Sequence, residues 1–353
     1  MQHSPINLFS LKEKSIWKEY LERLSPMRRD VYFTPEYYSL YENYGDGNAH
    51  CFAFEKDGET ALYPFLINPI TPLGFKLDKE YYDIQGAYGY NGIITSTDSK
   101  DFIDSFWTVF DAWCQENDVV AEFTRFHPLL NNQILASPNM KTFYSRHTVA
   151  LDLSDDDIWM HQISSKNRNM IRKAEKEGVS IIESDDYDTF KRLYDGTMTN
   201  LHAEGFYFFP QSYYDEYKQT FKGESMLCLA MYEGKAIAGS MFMFSDDYAH
   251  YHLSGRDREY SRYAANNLIL WYAIRRAKER GCKWFHFGGG TTGEEEDSLL
   301  KFKKEFSKTE TEFWIGKRVH NPKIYDQIVE QWKSNYPENY EINRVKLLGY
   351  REI

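Results

Sequence analysis

Residues 284–306 read WFHFGGGTTGEEEDSLLKFKKEF, and this segment is the most informative part of the sequence. Four residues of strand character come first, and three consecutive glycines follow them. A run without Cβ atoms indicates that the backbone turns with positive φ or lies close to another group. Gly288 and Gly289 are therefore candidate substrate-binding positions. The acidic run after them suits the start of a helix, whose N-terminal end favours carboxylates.

The end of this segment places three lysines among phenylalanines and allows two interpretations. Phe302 and Phe306, at i and i+4, are suited to a core. Lys301, Lys303 and Lys304 would then form a solvated helix face. Alternatively, one lysine is a fixed cation in a dry cleft, where it stabilises the oxyanion of an acyl-transfer reaction. The residues alone favour the solvated face.

Three segments together resemble the FemAB-like branch (Fem-type aminoacyltransferases) of the GNAT acyltransferase superfamily. They are Asp83 with the tripeptide YGY at 88–90, the run NRNMIRKAEKEG at 167–178, and the end of segment 284–306. The resemblance implies an α/β (mixed α+β) fold with tandem GNAT-like domains, each a central mixed sheet flanked by helices. It also implies that Phe302 and Lys303 lie at the acyl-transfer site. Lys303 thereby becomes the first candidate for a catalytic residue, and Phe302 a candidate substrate contact.

The composition excludes several classes of protein. The 353 residues are 42% hydrophobic and 17% aromatic, which suffices for two folded cores. No apolar run reaches the ~18–20 residues of a membrane-spanning helix, and the first residues lack a signal-peptide core, so we expect a cytoplasmic protein without a transmembrane segment. Four widely spaced cysteines match no metal-binding pattern, so we expect reduced thiols and no metal. The net charge of −11 argues against DNA as a partner.

Strand, turn, strand, helix and strand occur twice in this order along the chain. Glycine turns at Gly58 and Gly234 join the two predicted hairpins, and helix-to-strand junctions fall at Asp118 and Gly281. Two copies of one mixed α/β unit account for the length of the chain. We predict a first GNAT-like domain over 1–150, rejoined by 321–353. The second, over 151–320, contains the glycine run and the Phe-Lys pair.

Two basic segments stand out in this acidic chain. Residues 161–178 carry a net charge of +3 and residues 301–323 a net charge of +4. They suit a phosphate-bearing substrate, because local charge steers a ligand more than net charge does. Arg168 and Arg172 recur at i and i+4, on the side opposite the apolar face of their helix. They either bind phosphate through their planar guanidinium groups or belong to a solvated face.

Two asparagines lie at predicted helix positions where a ligand is one interpretation. A long helix is predicted over 154–178, with Ser154 as its N-cap and Gly178 after its end. Asn167 sits among its apolar positions, so its amide needs a structural carbonyl or a ligand. Asn267 begins a later helix that follows a strand end. In GNAT enzymes such a junction holds the donor pyrophosphate, although residues 258–264 lack the glycines usual there.

The remaining candidates are aromatic or acidic. Tyr207 lies in an aromatic loop at 206–209, which either stacks on a sugar or base or packs internally. Asp83 and Tyr90, near the glycines of the first domain, are candidates for orienting an acceptor amine. Asp83 is also the candidate general base.

The leading hypothesis is an N-acyltransferase that acts by proximity and oxyanion stabilisation. It would move an aminoacyl or acyl group onto a primary amine of a cell-envelope precursor, either a peptidoglycan peptide or an amino sugar. The expected partner is a nucleotide- or lipid-linked glycan or peptide, with contact to a membrane surface. Aminoacyl-tRNA or acyl-CoA would be the donor, as a co-substrate, and no cofactor is expected. Two alternatives stay open: an acyl-CoA-dependent acyltransferase on a small or sugar amine, and a non-catalytic tandem GNAT protein that binds glycans or assists assembly.

Overall fold

The computed structural model describes residues 6–201 and 205–353. Its β-strands are β1 (Ile6–Ser10), β2 (Asn48–Lys56), β3 (Glu59–Pro69), β4 (Tyr82–Gln85), β5 (Ile94–Thr95), β6 (Val119–Arg125), β7 (Lys141–Asp152), β8 (Ser180–Ser184), β9 (Ser225–Tyr232), β10 (Lys235–Phe244), β11 (Tyr248–Arg256), β12 (Trp284–Gly289) and β13 (Thr309–Val319). Its α-helices are α1 (Lys14–Glu22), α2 (Pro35–Tyr44), α3 (Lys100–Glu116), α4 (Ile158–His161), α5 (Ser165–Lys176), α6 (Tyr187–Asn200), α7 (Gln211–Thr220), α8 (Ala265–Glu279), α9 (Ser298–Lys304), α10 (Pro322–Asn335) and α11 (Pro337–Asn343). None of the helices in these two ranges is long and apolar enough to span a bilayer.

Contacts between residues divide the chain into two compact units. Unit 1 comprises Met1–Ser145 and Phe313–Ile353, and unit 2 comprises Arg146–Glu312. Both boundaries fall inside strands, in β7 and in β13. The division into domains over 1–150 with 321–353 and over 151–320 stays a prediction.

The sheet of unit 1 has the strand order β1-β2-β3-β4-β6-β13, and β5 pairs with β3. Its neighbours are antiparallel except β4 and β6, which run parallel. The β2–β3 hairpin turns through Asp57 and Gly58, whose φ angles are 54° and 84°. Two residues with positive φ give the turn that matches the twist of the strands. The predicted hairpin is confirmed.

The sheet of unit 2 repeats this pattern in the order β8-β9-β10-β11-β12-β7. Among its described strands, β11 and β12 form the parallel pair, and α8 connects them as α3 connects β4 to β6. Its hairpin turns through Glu233 and Gly234, with φ angles of 48° and 78°. One topology therefore occurs twice along the chain. The predicted mixed α/β fold with tandem GNAT-like domains is confirmed.

Helices cover both faces of the sheet in unit 1. Val119 belongs to a core with Phe106 and Phe110 of α3. The next residue, Val120, belongs instead to a core with Ile328 and Trp332 of α10. Because neighbouring residues of a strand point to opposite faces, α10 completes the second layer of this unit.

Unit 2 packs α5 and α8 on its sheet. Ile171 of α5 and Ile274 of α8 share one buried core with Phe285 of β12. Helix α6 approaches the sheet at Gly255, where a Cβ atom would lie 2.4 Å from the backbone nitrogen of Tyr194. A glycine is needed here because backbone packs directly on backbone.

The helix predicted over 154–178 is wrong as a single element. Ser164 interrupts it, because its hydroxyl oxygen accepts a hydrogen bond from the N–H of Asn167 and so caps a new helix. The segment therefore folds as the short α4 followed by α5. The predicted C-terminal glycine is confirmed, since Gly178 ends α5 with φ +87°.

Candidate active site

The parallel strands of unit 2 separate at their C-terminal ends. Residues 248–250 of β11 pair with residues 284–286 of β12. Beyond this point β11 continues to Arg256 and β12 to Gly289, with no further pairing between the two strands in the described chain. The carboxyl ends of parallel strands are where α/β folds bind ligands. The opening between β11 and β12 is therefore the place to look for a site.

The glycine run turns the end of β12 toward the start of α9. The register with β7 shifts just before Gly288, which has φ +76°. A Cβ atom at Gly289 would lie 3.0 Å from Cδ of Arg146. One at Gly290 would lie 2.4 Å from Oδ1 of Asp297. Gly288 thus has the positive φ, and Gly289 and Gly290 the close approach to other groups, that the glycine run predicted.

Asp297 fixes the start of α9. Its carboxylate accepts hydrogen bonds from the N–H groups of Leu300 (2.8 Å) and Thr292 (2.9 Å). Burial raises the pKa of Asp297, but the hydrogen bonds from these N–H groups outweigh burial and lower it overall. Arg146 holds the other side of the loop by donating to the carbonyl oxygens of residues 290 and 291, both at 3.1 Å. The backbone between β12 and α9 is therefore fixed at both ends.

Lys303 is buried on α9, and its side chain reaches the glycine turn. Its Nζ donates a hydrogen bond to the carbonyl oxygen of Gly289 at 2.6 Å and lies 5.7 Å from the ring centre of Tyr251. The residue is only 7% exposed. Burial lowers the pKa of Lys303 to about 7, and the Asp297 carboxylate compensates for only part of this effect. Near neutral pH the group can therefore donate or accept a proton.

The two neighbouring lysines have a different environment. Lys301 forms an ion pair with Glu296, and Lys304 forms one with Glu310 at 2.9 Å. Both side chains reach solvent. The solvated-face interpretation is correct for these two lysines and wrong for Lys303.

Phe302 is half-buried against the core of unit 2. Its ring meets that of Phe306 edge to face at 5.5 Å, and the ring of Phe306 lies 5.5 Å from that of Phe287. This row of rings anchors α9 to the end of β12. Contact between Phe302 and a substrate stays a prediction.

Polar groups that sequence reasoning missed lie close to Lys303. Tyr251 is half-buried, and removal of its phenol from water raises the pKa of Tyr251 although the hydroxyls of Ser254 and Ser240 form hydrogen bonds with it. These two hydroxyls lie 3.0 Å apart. The one signal in the sequence is the serine in the middle of the apolar strand KAIAGSMFMF.

A second polar group holds β12 next to the glycine turn. Nε2 of the buried His286 lies 3.0 Å from Oγ1 of Thr148, which lies 2.6 Å from Oγ1 of Thr311. The ring of His250 is 5.7 Å away. These contacts fix the strand two residues before Gly288.

The N-terminus of α8 has the chemistry of an anion site. Ala264, with φ 53°, precedes the helix and gives it no side-chain cap. The first N–H groups of a helix have no partner within the helix and carry the positive end of its dipole. Arg258 and Arg262 lie exposed in the preceding turn. Backbone N–H groups and nearby cations together suit a phosphate.

Asn167 and Asn267 meet in the structure and are engaged with protein groups. Nδ2 of Asn267 donates to Oδ1 of Asn167 at 2.8 Å. Nδ2 of Asn167 donates to the carbonyl oxygen of Glu305 at 3.2 Å, and the N–H of Ser164 donates to the same oxygen at 2.9 Å. This asparagine clamp ties α5, α8 and the end of α9 together. Ligand contact by either asparagine stays a prediction.

Arg168 and Arg172 lie on α5 in different environments. Arg168 donates to the carbonyl oxygens of Trp159 (3.1 Å) and Ile163 (2.6 Å), which belong to α4 and the turn after it. It therefore satisfies groups that a helix end leaves unpaired. The guanidinium of Arg172 lies 5.3 Å from the centre of the Trp159 indole. Phosphate binding by the two arginines stays a prediction.

The candidate residues of unit 1 hold that unit together. Asp83 is completely buried and accepts hydrogen bonds from the Tyr350 hydroxyl (2.7 Å) and from Nε of Arg351 (2.8 Å). Burial raises the pKa of Asp83, while Arg351 opposes the rise. Asp83 therefore anchors the C-terminal segment, and its role as general base stays a prediction. Tyr90 packs edge to face on Tyr32 at 5.1 Å, and its contact with an acceptor stays a prediction.

Tyr207 is half-buried in the 3-10 helix Gly205–Tyr207. Within the predicted aromatic loop, Phe209 stacks on Tyr213 at 4.2 Å and so packs internally. The side chain of Phe206 lies outside the described residues. Stacking of a ligand on Tyr207 stays a prediction.

Comparison with known proteins agrees with the geometry of unit 2. Residues 164–304 match the family model described as an acetyltransferase (GNAT) domain, a range that runs from Ser164 through Lys303. The solved structure of FemX is 14% identical, covers 92% of this chain and 99% of that chain, and has a TM-score of 0.67. This chain has the FemAB-like GNAT fold. No curated protein matches this FemAB-like chain closely enough to count as a relative.

Two further structures share the fold over most of the chain. L-PGS from Bacillus licheniformis is 15% identical, covers 86% of this chain and 91% of that chain, and has a TM-score of 0.54. The C-terminal domain (DUF2156) of a protein from Agrobacterium fabrum described as a lysylphosphatidylglycerol synthetase gives the same identity and TM-score, with 86% and 92% coverage. These likenesses show the fold, and the match to a GNAT domain supports an acyltransferase.

Proposed function

We propose that this FemAB-like protein transfers an aminoacyl or acyl group from an activated ester or thioester to a primary amine of a cell-envelope precursor. The observation that carries the proposal is the buried Lys303, held by Gly289 where β11 and β12 separate. Burial of the Lys303 amine lowers its pKa, and side chains with pKa values shifted in this way cluster at functional sites. The neighbouring Lys301 and Lys304, which reach solvent, give no comparable indication.

The chemistry that we infer is direct transfer. The acceptor amine attacks the donor carbonyl, the C–N bond forms, and the tetrahedral oxyanion collapses with loss of the alcohol or thiol. Protonated Lys303 has three donors, of which Gly289 accepts one, so another is able to meet the oxyanion. The removal of water around Lys303 strengthens this interaction. The proton that the amine loses leaves with the departing alcohol or thiol.

We place the phosphates of the donor at the N-terminus of α8. Its N–H groups have no side-chain cap, and Arg258 and Arg262 precede it. Both proposed donors carry phosphate: aminoacyl-tRNA in its terminal nucleotides, and acyl-CoA in the pyrophosphate at the far end of its pantetheine arm. We propose no metal or redox cofactor, because the leaving group in either donor is already activated.

We propose a peptidoglycan peptide or an amino sugar, carried on a nucleotide or a lipid, as the acceptor. The structural likeness to FemX supports the choice of an envelope precursor. The likeness to a protein described as a lysylphosphatidylglycerol synthetase supports aminoacyl transfer near lipid. An acceptor of this kind presents phosphate together with a free amine.

Acyl-CoA-dependent transfer to a small or sugar amine is the second candidate. It is favoured by the match of residues 164–304 to an acetyltransferase (GNAT) domain and by the separated parallel strands. Mass spectrometry of the purified protein under native conditions distinguishes the donors. Co-purified CoA would support this candidate over the tRNA-dependent one.

The proposed function is tested by mass spectrometry of an acceptor after incubation with donor and enzyme. The acceptors are a nucleotide-linked muropeptide with a free lysine amine and a nucleotide-linked amino sugar. The donors are a mixture of charged tRNAs and a set of acyl-CoA thioesters. We expect one acceptor to gain the mass of one acyl group, and Lys303→Met to abolish most of the gain. No transfer from any donor would favour the non-catalytic, glycan-binding alternative.

A further inference from the structure

An exposed apolar patch lies on unit 1. Ile342 is 76% exposed, Val345 is 73% exposed and Phe143 is 45% exposed. Lys317 joins them, because its Nζ donates to the carbonyl oxygen of Val345 at 2.8 Å and lies 5.5 Å from the ring centre of Phe143. Ile342 and Val345 are three residues apart, at the end of α11 and in the turn after it, so they lie close together on the surface. We call these three apolar residues the C-terminal patch.

The backbone beneath the C-terminal patch is held from the interior of unit 1. The hydroxyl of Tyr325 donates to the carbonyl oxygen of Leu347 at 2.8 Å. Nε1 of Trp332 donates to Oδ1 of Asn339 at 2.8 Å. The apolar side chains are therefore fixed at the surface and are not the ends of a loose tail. Exposed apolar side chains that lie together on a fixed backbone are a candidate binding face.

Four basic residues accompany the C-terminal patch: Lys317 contacts it, Lys141 lies two residues before Phe143 on β7, and Arg344 and Lys346 flank Val345 in the chain. Two of them are neutralised, since Glu341 lies 3.2 Å from Arg344 and Glu352 lies 3.4 Å from Lys346. The other two lysines have no carboxylate partner in the described part of the chain. Glu338, exposed at the start of α11, is one further acidic group of this helix. The patch is thus apolar at its centre and weakly basic at its edge, in a chain of net charge −11.

We propose that the C-terminal patch docks this protein on the surface of an anionic phospholipid bilayer. Apolar side chains bury in the interfacial region, and unpaired lysines meet the headgroup phosphates. The acidic remainder of the chain is repelled by the same surface, so the patch also sets the orientation of unit 1. The proposal rests on the proposed function in one respect, which is that a lipid-linked acceptor is presented at such a surface.

The test is co-sedimentation of the full chain with vesicles, without donor or acceptor. Vesicles of phosphatidylcholine are compared with vesicles that contain phosphatidylglycerol, at low and at physiological salt. We expect binding to the anionic vesicles, and a loss of about tenfold or more in Ile342→Ser/Val345→Ser, because two exposed apolar side chains are removed. Lys141→Gln/Lys317→Gln should lose the preference for anionic lipid while keeping weak binding to the neutral vesicles.

Met160→Ser is the matched control, because Met160 is an apolar residue of unit 2 that is 55% exposed. Its binding to vesicles should equal that of the unsubstituted protein. Equal binding of the double serine variant, or no binding of the original chain, would overturn the proposal. So would a change in concentration-dependent self-association in the serine variant, which would make the patch a protein interface. Transfer to a water-soluble acceptor should be unchanged in that variant, so failure here is distinct from failure of the proposed function.

Discussion

Of the three lysines on α9, only Lys303 is buried. All three lie within one turn of α9, yet Lys301 and Lys304 have carboxylate partners at the surface and Lys303 has a backbone carbonyl in the interior. Burial lowers the pKa of Lys303 to about 7. Its charge is therefore sensitive to conditions in a way that the charge of an exposed lysine is not.

Replacing Lys303 should separate stability from activity. Lys303→Met keeps the length of the side chain and removes the buried charge, so the fold should persist. We expect kcat to fall by roughly 10²–10³, as for the loss of one oxyanion donor. Lys303→Arg should recover only part of the rate, because its planar head does not fit a site shaped for an ammonium. Steady-state kinetics with saturating donor provide the measurement.

Lys301→Ala and Lys304→Ala are the matched controls for this prediction. Each removes a lysine from the same helix and a surface ion pair worth about 0–1 kcal/mol. Their kcat values should stay within about twofold of the original. If the substitutions at Lys301, Lys303 and Lys304 all changed kcat by the same small factor, Lys303 would have no catalytic role.

The pH dependence distinguishes two roles for Lys303. An oxyanion donor must be protonated, so the rate of the original enzyme relative to Lys303→Arg should fall as the pH rises through about 7. A general base must be neutral, and the same ratio would then rise.

The free energy of unfolding should depend on pH in the same way whichever of these roles Lys303 has. The folded pKa lies below the usual 10.5, so the unfolded state binds more protons and stability increases from about pH 7 to 10.5. Lys303→Met should lack this increase in chemical denaturation.

At the scale of elements, the asparagine clamp decides where α9 lies. Asn167 on α5 receives a hydrogen bond from Asn267 on α8 and donates one to Glu305, directly after α9. Asp297 fixes the other end of α9 through its N-cap hydrogen bonds. The seven-residue helix that carries Lys303 is thus held by its own N-cap residue at one end and by a side chain of α5 at the other.

Removing the clamp tests its structural role. Asn167→Ala should cost about 1–3 kcal/mol in the free energy of unfolding, because the two hydrogen bonds of the buried Asn167 amide are lost, although the Glu305 carbonyl keeps the N–H of Ser164 as a donor. Asn267→Ala should cost less, and the double variant less than the sum, since the two amides share one hydrogen bond. Urea denaturation of the four proteins measures this coupling. A large rise in KM without loss of stability would instead favour ligand contact.

At the scale of the molecule, the two units have the same topology, but only in unit 2 do the parallel strands separate at their C-terminal ends. In unit 1 the link between the parallel strands β4 and β6 continues past Gln85, because the N–H of Asn91 donates to the carbonyl oxygen of Arg125 at 2.6 Å. Oδ1 of Asn91 accepts from the N–H of Arg125 in return, at 2.8 Å. In unit 2 the corresponding strands separate. We therefore assign the transfer chemistry to unit 2.

The C-terminal segment should be essential to the stability of unit 1. Arg351→Met removes the partner of the completely buried Asp83 and should cost about 3–5 kcal/mol. Arg344→Met is the control, because it breaks an exposed pair with Glu341 and should cost less than about 0.5 kcal/mol. Thermal and urea unfolding measure the difference. A cost for Arg351→Met as small as that of the control would show that the segment is not an integral part of the unit.

The sequence by itself determined the repeated topology and the local conformation around the site. Asp57-Gly58 and Glu233-Gly234 specify their hairpins because turn geometry depends on a few adjacent residues. The positive φ of Gly288 was likewise predictable, because it depends on the absence of a Cβ atom. Residue order also placed Phe302 and Lys303 in a helix that follows the glycine run and its acidic segment.

Only the tertiary structure decided what surrounds these residues. Burial of Lys303 and exposure of its neighbours follow from how α9 packs on the sheet, which helical spacing alone leaves open. The partner of Asn167 comes from 100 residues further along the chain, and the two partners of Asp83 from 267 and 268 residues further along. Contacts at such separations arise from the packing of whole elements, and no local pattern of residue types encodes them. The sequence therefore predicted a catalytic role for Asp83, which stays untested, and only the fold showed that Asp83 anchors the C-terminal segment.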